Sequence, residues 1–181
     1  MFEGLLKCKD LLTKFGGHPM AAGLSLEREN LEQLRKQLNE TSDLTEEDLI
    51  PKIYIDARVP LSQISLRIAE ELSLLEPYGK GNSKPLFAEK DISVARAMVL
   101  GSDKNVLKLK LLVAPGKFLD CIYFGSILDF DEYIRGKFGD EELAKLYSGQ
   151  TNAVKLDLIF YIDINEYNGN KNVQLIMQHY R

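Results

Sequence analysis

The chain has 181 residues, 45% hydrophobic and 28% charged, and its 23 Lys plus Arg against 27 Asp plus Glu leave a net charge of −4. That length holds one ordinary domain, or one small domain with part of another. The acidic balance excludes an all-round cationic shell of the histone type, but leaves room for a local basic patch.

No window of 18 consecutive apolar residues predicts a membrane-spanning helix. Met1-Phe2-Glu3-Gly4 lacks the basic and then apolar opening of a secretory signal, so a membrane partner is not expected. Cys8 and Cys121 lie far apart, with no cysteine at zinc-ligand spacing. With only His18 and His179 in the chain, a Cys/His metal cluster cannot be built. The expected setting is reducing and cytoplasmic.

Taken in order, leucines 5, 6, 11 and 12 recur at helical spacing, predicting a helix over 3–14 that stops at Phe15-Gly16-Gly17. A short strand is expected at 21–26. A helix is expected over 28–40, where Leu31, Leu34 and Leu38 share a face. A polar connector follows, and Pro51 opens a predicted strand Lys52–Ala57. Leu61, Ile64, Ile68, Leu72 and Leu75 predict one helix over 61–75, closed by the turn Pro77-Tyr78-Gly79-Lys80-Gly81-Asn82.

After Pro85 the pattern becomes β. Strands are predicted at 92–99, 106–113 and 118–124, then a mixed helical stretch at 127–147, then strands at 153–165 and 172–180. The last two are joined through Asn168-Gly169, a strong hairpin signal. Five strands with a helix between the third and fourth is the element order of an OB-fold, so the expected class is α+β with a five-stranded barrel. Such barrels bind oligonucleotides on their second and third strands. Cys121 falls in an apolar strand and is expected to pack as a small hydrophobe.

Charge is uneven along the chain. Residues 76–126 carry eight basic and five acidic side chains, net +3; residues 27–75 are net −5 and 127–181 net −3. A positive middle segment is the modest mark of a polyanion-facing surface.

Gly16-Gly17-His18-Pro19-Met20-Ala21-Ala22-Gly23 carries the most information. Paired glycines let a backbone turn present its N–H groups to a phosphate oxygen, and His18 beside them adds a donor. The same spacing equally describes a tight helix-to-strand turn with a solvated histidine.

Phe15-Gly16-Gly17-His18-Pro19-Met20-Ala21-Ala22-Gly23 resembles the signature of the DHH-associated domain in the RecJ family of single-strand-specific exonucleases. The run from Leu75 through Tyr78-Gly79-Lys80-Gly81-Asn82 to Phe87 resembles the same family's segment leading into its OB domain, with Tyr78 in place of the usual Phe.

The resemblance implies three parts: the end of a DHH-associated domain at 1–50, a connector at 51–85 and an OB domain at 86–181. It implies that Gly16, Gly17 and His18 face nucleic-acid phosphate, and that the barrel holds single-stranded DNA for a 5′-to-3′ exonuclease of repair and recombination. Catalysis in that family uses Mn²⁺ or Mg²⁺ on an Asp/His set with an Asp-His-His motif. No such motif stands in this chain, so no catalytic or metal-ligating residue is assigned, and the catalytic DHH domain is expected upstream of it. Single-strand-binding protein is a further partner to consider. The alternatives are a DHH-family phosphoesterase for short oligonucleotides and a non-catalytic OB module that binds a protein.

Lys80, Lys84, Arg96, Lys104, Lys108 and Lys110 are the candidate phosphate contacts, and Tyr78 and Tyr123 the candidate base platforms. Tyr78 serves equally as a packing residue, and Lys108 and Lys110 equally as a solvated face. Phe124 is a third candidate base platform, with a place in the core at the end of an apolar strand as the favoured reading. Asp157 and Asp163 are expected to face outward. The acidic run Thr45-Glu46-Glu47-Asp48 is expected to be solvated and His179 to have no role.

Overall fold

Leu107, Leu109 and Leu111 alternate with Lys108 and Lys110, and all three leucines are fully buried. They belong to the inner wall of a barrel. The computed structural model describes residues 2–181, which form two compact units, one ending at Ile53 and the other running Tyr54–Arg181.

The first unit holds α1 (Phe2–Leu6), a 3₁₀ turn Lys9–Leu11, a hairpin of β1 (Lys14–His18) and β2 (Ala21–Ser25), and α2 (Leu31–Glu40). Its small core is Leu5, Cys8 and Leu34. The predicted helix over 3–14 is thus a single short helix, because the chain is already extended by Lys14. Gly16 and Gly17 do not make the turn either. They are paired in the ladder, opposite Gly23 and Ala22, and the turn is Pro19-Met20. His18 precedes a proline, whose ring disfavours helical backbone at that position and keeps the chain extended.

The second unit begins with β3 (Ala57–Arg58) and α3 (Leu66–Ser73). The predicted strand Lys52–Ala57 does not form. Only Ala57 and Arg58 reach a partner strand, and Ile53, Tyr54 and Ile55 are exposed. The single helix predicted over 61–75 is a 3₁₀ turn Leu61–Gln63 and then α3. Ser65 breaks it by turning extended and capping, its hydroxyl accepting from the Ile68 N–H at 3.4 Å.

The barrel strands are β4 (Phe87–Leu100), β5 (Val106–Ala114), β6 (Lys117–Tyr123), β7 (Lys155–Tyr167) and β8 (Asn170–Tyr180). Sheet order is β4-β5-β6-β8-β7, with β7 returning to β4. β4 is longer than the expected 92–99 because it serves both ends of that ring. Phe87–Ser93 pairs with β7 and Val94–Leu100 with β5, with register shifts that bend the strand between. Asn168 (φ 50°) and Gly169 (φ 76°) make the β7–β8 turn with positive φ at both positions, as a two-residue hairpin loop requires.

Between the third and fourth barrel strands lie α4 (Ile127–Phe138) and α5 (Asp140–Ser148), separated at Gly139. Their Phe130, Ile134, Leu143 and Leu146 are buried in the barrel's core cluster. At about 1.5–3 kcal/mol per fully buried large apolar side chain, this cluster is the main favourable term. Cys121 belongs to it as expected, and burial pushes its thiol up to about 12.

Candidate nucleic-acid interface

With the leucines inside, the outward side of β5 and β6 presents Lys108, Lys110 and Leu112 beside Phe118, Asp120 and Ile122. Register carries this face across the sheet. Arg96, Lys110, Asp120, Gln174 and Asp163 stand in one row, and Met98, Lys108, Ile122, Ile176 and Tyr161 in the next.

The lysines of this face are tied to carboxylates. Lys108 Nζ lies 2.6 Å from Asp120 Oδ2 and Lys110 Nζ 3.0 Å from Oδ1. Partial burial works to raise the Asp120 carboxyl, but the two lysine hydrogen bonds and charges outweigh it and hold the group below the ordinary carboxylate range. Lys84 Nζ is 3.3 Å from Asp163 Oδ1 and 5.5 Å from the centre of the Tyr161 ring. Gln174 donates to the other Asp163 oxygen at 3.4 Å.

Asp157 and Asp163 lie on the outward positions of β7, alternating with buried Leu156, Leu158, Phe160 and Ile162, and there they are partly buried and partnered. Asp157 accepts from the Asp91 N–H at 3.0 Å and from Arg181 Nε at 3.0 Å.

Arg96, Lys104 and Lys80 differ from these. Among the described residues, none of the three has a carboxylate within salt-bridge distance, and all are exposed. Lys104 occupies the β4–β5 turn with φ 52°.

The aromatic expectations are partly reversed. Tyr123 shares the inward parity of Cys121, and its ring meets Tyr180 edge-on at 5.6 Å. Tyr180 in turn meets Phe130 and Tyr133 at 5.2 Å each. Burial, with neighbouring Tyr123, pushes the Tyr180 hydroxyl up to about 12. Tyr123 is thus partly buried in an aromatic cluster on the inner side of β6. Tyr78 donates its hydroxyl to the Leu72 carbonyl at 2.8 Å, tying the following turn to the end of α3. Phe124, expected in the core, is 65% exposed, because it lies one residue beyond the end of β6 where no strand covers it. Phe118 is hidden from the sequence reading as the start of an apolar run; counting inward and outward positions along 118–124 finds it on the outer side with Asp120.

In the first unit, Gly16, Gly17 and His18 are exposed. Gly17 has φ 154°, and a Cβ there would overlap the Ala21 carbonyl oxygen and lie 2.6 Å from Ala22 Cα. The hairpin therefore requires glycine at 17, whereas a Cβ at 16 meets no atom within 4 Å. His18 Nδ1 accepts from the Met20 N–H at 3.3 Å, so the neutral ring carries its hydrogen on Nε2. That N–H has no hydrogen-bond partner among the described residues.

The residues do not fit a divalent-metal centre. Among the described residues no three His, Cys, Asp or Glu side chains come together, and Glu46, Glu47 and Asp48 are exposed, with Asp48 capping Thr45 at 2.9 Å. Among the described residues, no helix is long and apolar enough to cross a membrane.

A closed five-stranded barrel in the order first-second-third-fifth-fourth, with helices between its third and fourth strands, is an OB-fold. The chain belongs to the RecJ OB domain family, whose description matches residues 55–179.

It is 31% identical over 180 residues to the single-stranded-DNA-specific exonuclease RecJ of Bacillus subtilis, covering 98% of this chain and 21% of that protein. To the RecJ of Haemophilus influenzae it is 29% identical over 175 residues, covering 94% of this chain and 27% of that one. The crystal structure of RecJ in complex with Mn²⁺ from Thermus thermophilus aligns with 99% of this chain at a TM-score of 0.67 and 21% identity, and shares the fold. A structure of the same protein with Mg²⁺ aligns equally. The chain thus spans about a quarter of the length of these relatives.

Proposed function

We propose that this chain is the strand-holding C-terminal portion of a RecJ-type single-stranded-DNA exonuclease, cytoplasmic and acting 5′ to 3′ in repair and recombination. The observation that carries the proposal is the outer face of β5 and β6, where Lys108 and Lys110 stand beside the unpaired Arg96 on the barrel wall that OB-folds use for oligonucleotides. A single strand lying across this face would trade the Asp120 contacts for phosphate contacts. In this reading Lys104, in the β4–β5 turn, and Lys80, in the turn before β4, add further phosphate contacts, and Lys84, paired with Asp163 of β7, extends them.

In the same reading the Gly16-Gly17-His18 hairpin offers the His18 Nε2–H to a backbone phosphate. Gly17 sets the hairpin's shape, and exposed Lys14 adds charge on the same strand. Hydrolysis belongs to residues outside this chain: a divalent Mn²⁺ or Mg²⁺ centre of the full-length enzyme would supply the nucleophile, and no residue here is asked to hold it.

The test is titration of the ¹⁵N-labelled chain with a thymine oligonucleotide, with the matching duplex as control. The proposal expects amide shifts concentrated on Arg96, Lys108, Lys110 and Phe118, and weaker binding of duplex. Shifts confined elsewhere, or equal binding of duplex, would refute it.

A further inference from the structure

One outward step along β5 from Lys110 is Leu112, 40% exposed, and directly across the ladder from it is Phe118, 51% exposed. They form the apolar floor of a groove of about 310 Å³ that runs between β4 and residues 149–152. Its walls carry polar side chains. Ser93, Gln150 and Thr151 line it, and among the described residues none of their side-chain polar groups has a hydrogen-bond partner. The stem of Arg96 reaches its rim, with Cδ 3.1 Å from where a Gly149 Cβ would stand.

We infer that this groove is a nucleobase subsite, in which one unpaired base stacks on Phe118 and meets Gln150, Thr151 and Ser93 with its edge. Three features favour a base over another occupant. The floor is a flat aromatic ring beside an aliphatic side chain, the surface on which any base stacks. The walls offer a carboxamide and two hydroxyls, Ser93 from β4 and Gln150 and Thr151 from the facing loop, donors and acceptors of the kind a base edge engages. Arg96 at the rim and Lys110 next along the strand supply cations for the attached phosphates. The subsite rests on the single-strand-binding reading above and adds to it which side chain takes a base.

The experiment compares binding of a thymine oligonucleotide with that of an abasic oligonucleotide of equal length by the full chain and by Phe118→Ala. Loss of stacking on one base corresponds to a change of roughly tenfold. Wild type is expected to bind the thymine strand about tenfold more tightly than the abasic one. Phe118→Ala is expected to bind both at the weaker, abasic level. Phe118→Trp restores the preference and, since the chain has no other tryptophan, reports the stack directly as fluorescence quenching by the thymine strand only.

Salt-sensitive binding that is equal for both strands and indifferent to Phe118→Ala overturns the base subsite while leaving phosphate tracking intact, and assigns the apolar strip to a protein partner instead. Absence of binding by wild type to either strand overturns the underlying function, and the subsite with it.

Discussion

Lys110 Nζ and Asp120 Oδ1 lie 3.0 Å apart, directly opposite one another across the β5–β6 ladder on the barrel's outer wall. Lys108 takes the other oxygen of the same carboxylate at 2.6 Å. One carboxylate therefore occupies two ammonium groups, and on the proposed reading a strand that bound here would have to displace it.

Asp120→Asn frees both ammonium groups, and we expect it to tighten binding of a thymine oligonucleotide by about threefold to tenfold, since an exposed-to-half-buried carboxylate beside incoming phosphate costs of order 1 kcal/mol. Fluorescence anisotropy at moderate salt checks this, and unchanged or weaker binding would show that Asp120 aligns the lysines more than it competes for them.

The same carboxyl sets a pH dependence. Its folded value is lowered, so its contribution to stability is present above the ordinary carboxylate value and is lost as pH falls through the folded one. The melting-temperature gap between wild type and Asp120→Asn should stay constant from about pH 8 to about pH 5 and close only below 3.8. Melting curves across that range decide it; a gap that narrows between about pH 7 and about pH 5 would point to another titrating group.

Inside the wall, Leu109 is fully buried between Ala97 and Cys121 on the neighbouring strands. Leu109→Ala removes methyl groups that small neighbours cannot replace, and should cost about 2–5 kcal/mol of unfolding free energy in a urea titration. A loss under about 1 kcal/mol would mean that the barrel collapses readily around the gap.

The two hairpin glycines separate cleanly. Gly17→Ala drives a Cβ into the Ala21 carbonyl, whereas Gly16→Ala adds one into open space. Hydrogen-exchange protection across β1 and β2 should fall for the first substitution and survive the second, with β5 and β6 unaffected in both. Equal loss of protection would contradict the backbone assigned to Gly17.

Much of the barrel was legible in the sequence because its cause is local. The alternation Leu107 to Leu111 reports a half-buried strand, and Asn168-Gly169 reports a tight turn. Errors arose where the outcome depends on a distant partner. Lys52–Ala57 alternates like a strand, yet within it only Ala57 pairs with β4, opposite Phe87.

Phe124 ends an apolar run, but nothing covers it, while Tyr123 beside it is enclosed by Tyr180 from the far end of the chain. Lysine positions could be counted along the chain, but their partners depend on register: Asp120 meets Lys108 and Lys110 across the β5–β6 hairpin, and Asp163 reaches Lys84 from a strand 79 residues further on.

The most direct measurement is the salt dependence of single-strand binding by wild type and by Lys108→Glu with Lys110→Glu. For wild type, log affinity should fall steeply and linearly with log salt. The double variant should remain folded, bind at least about tenfold more weakly, and show a slope shallower by about 1.4, the loss of two phosphate contacts. Equal affinities and equal slopes in the two proteins would contradict the assignment of this face to the nucleic-acid backbone.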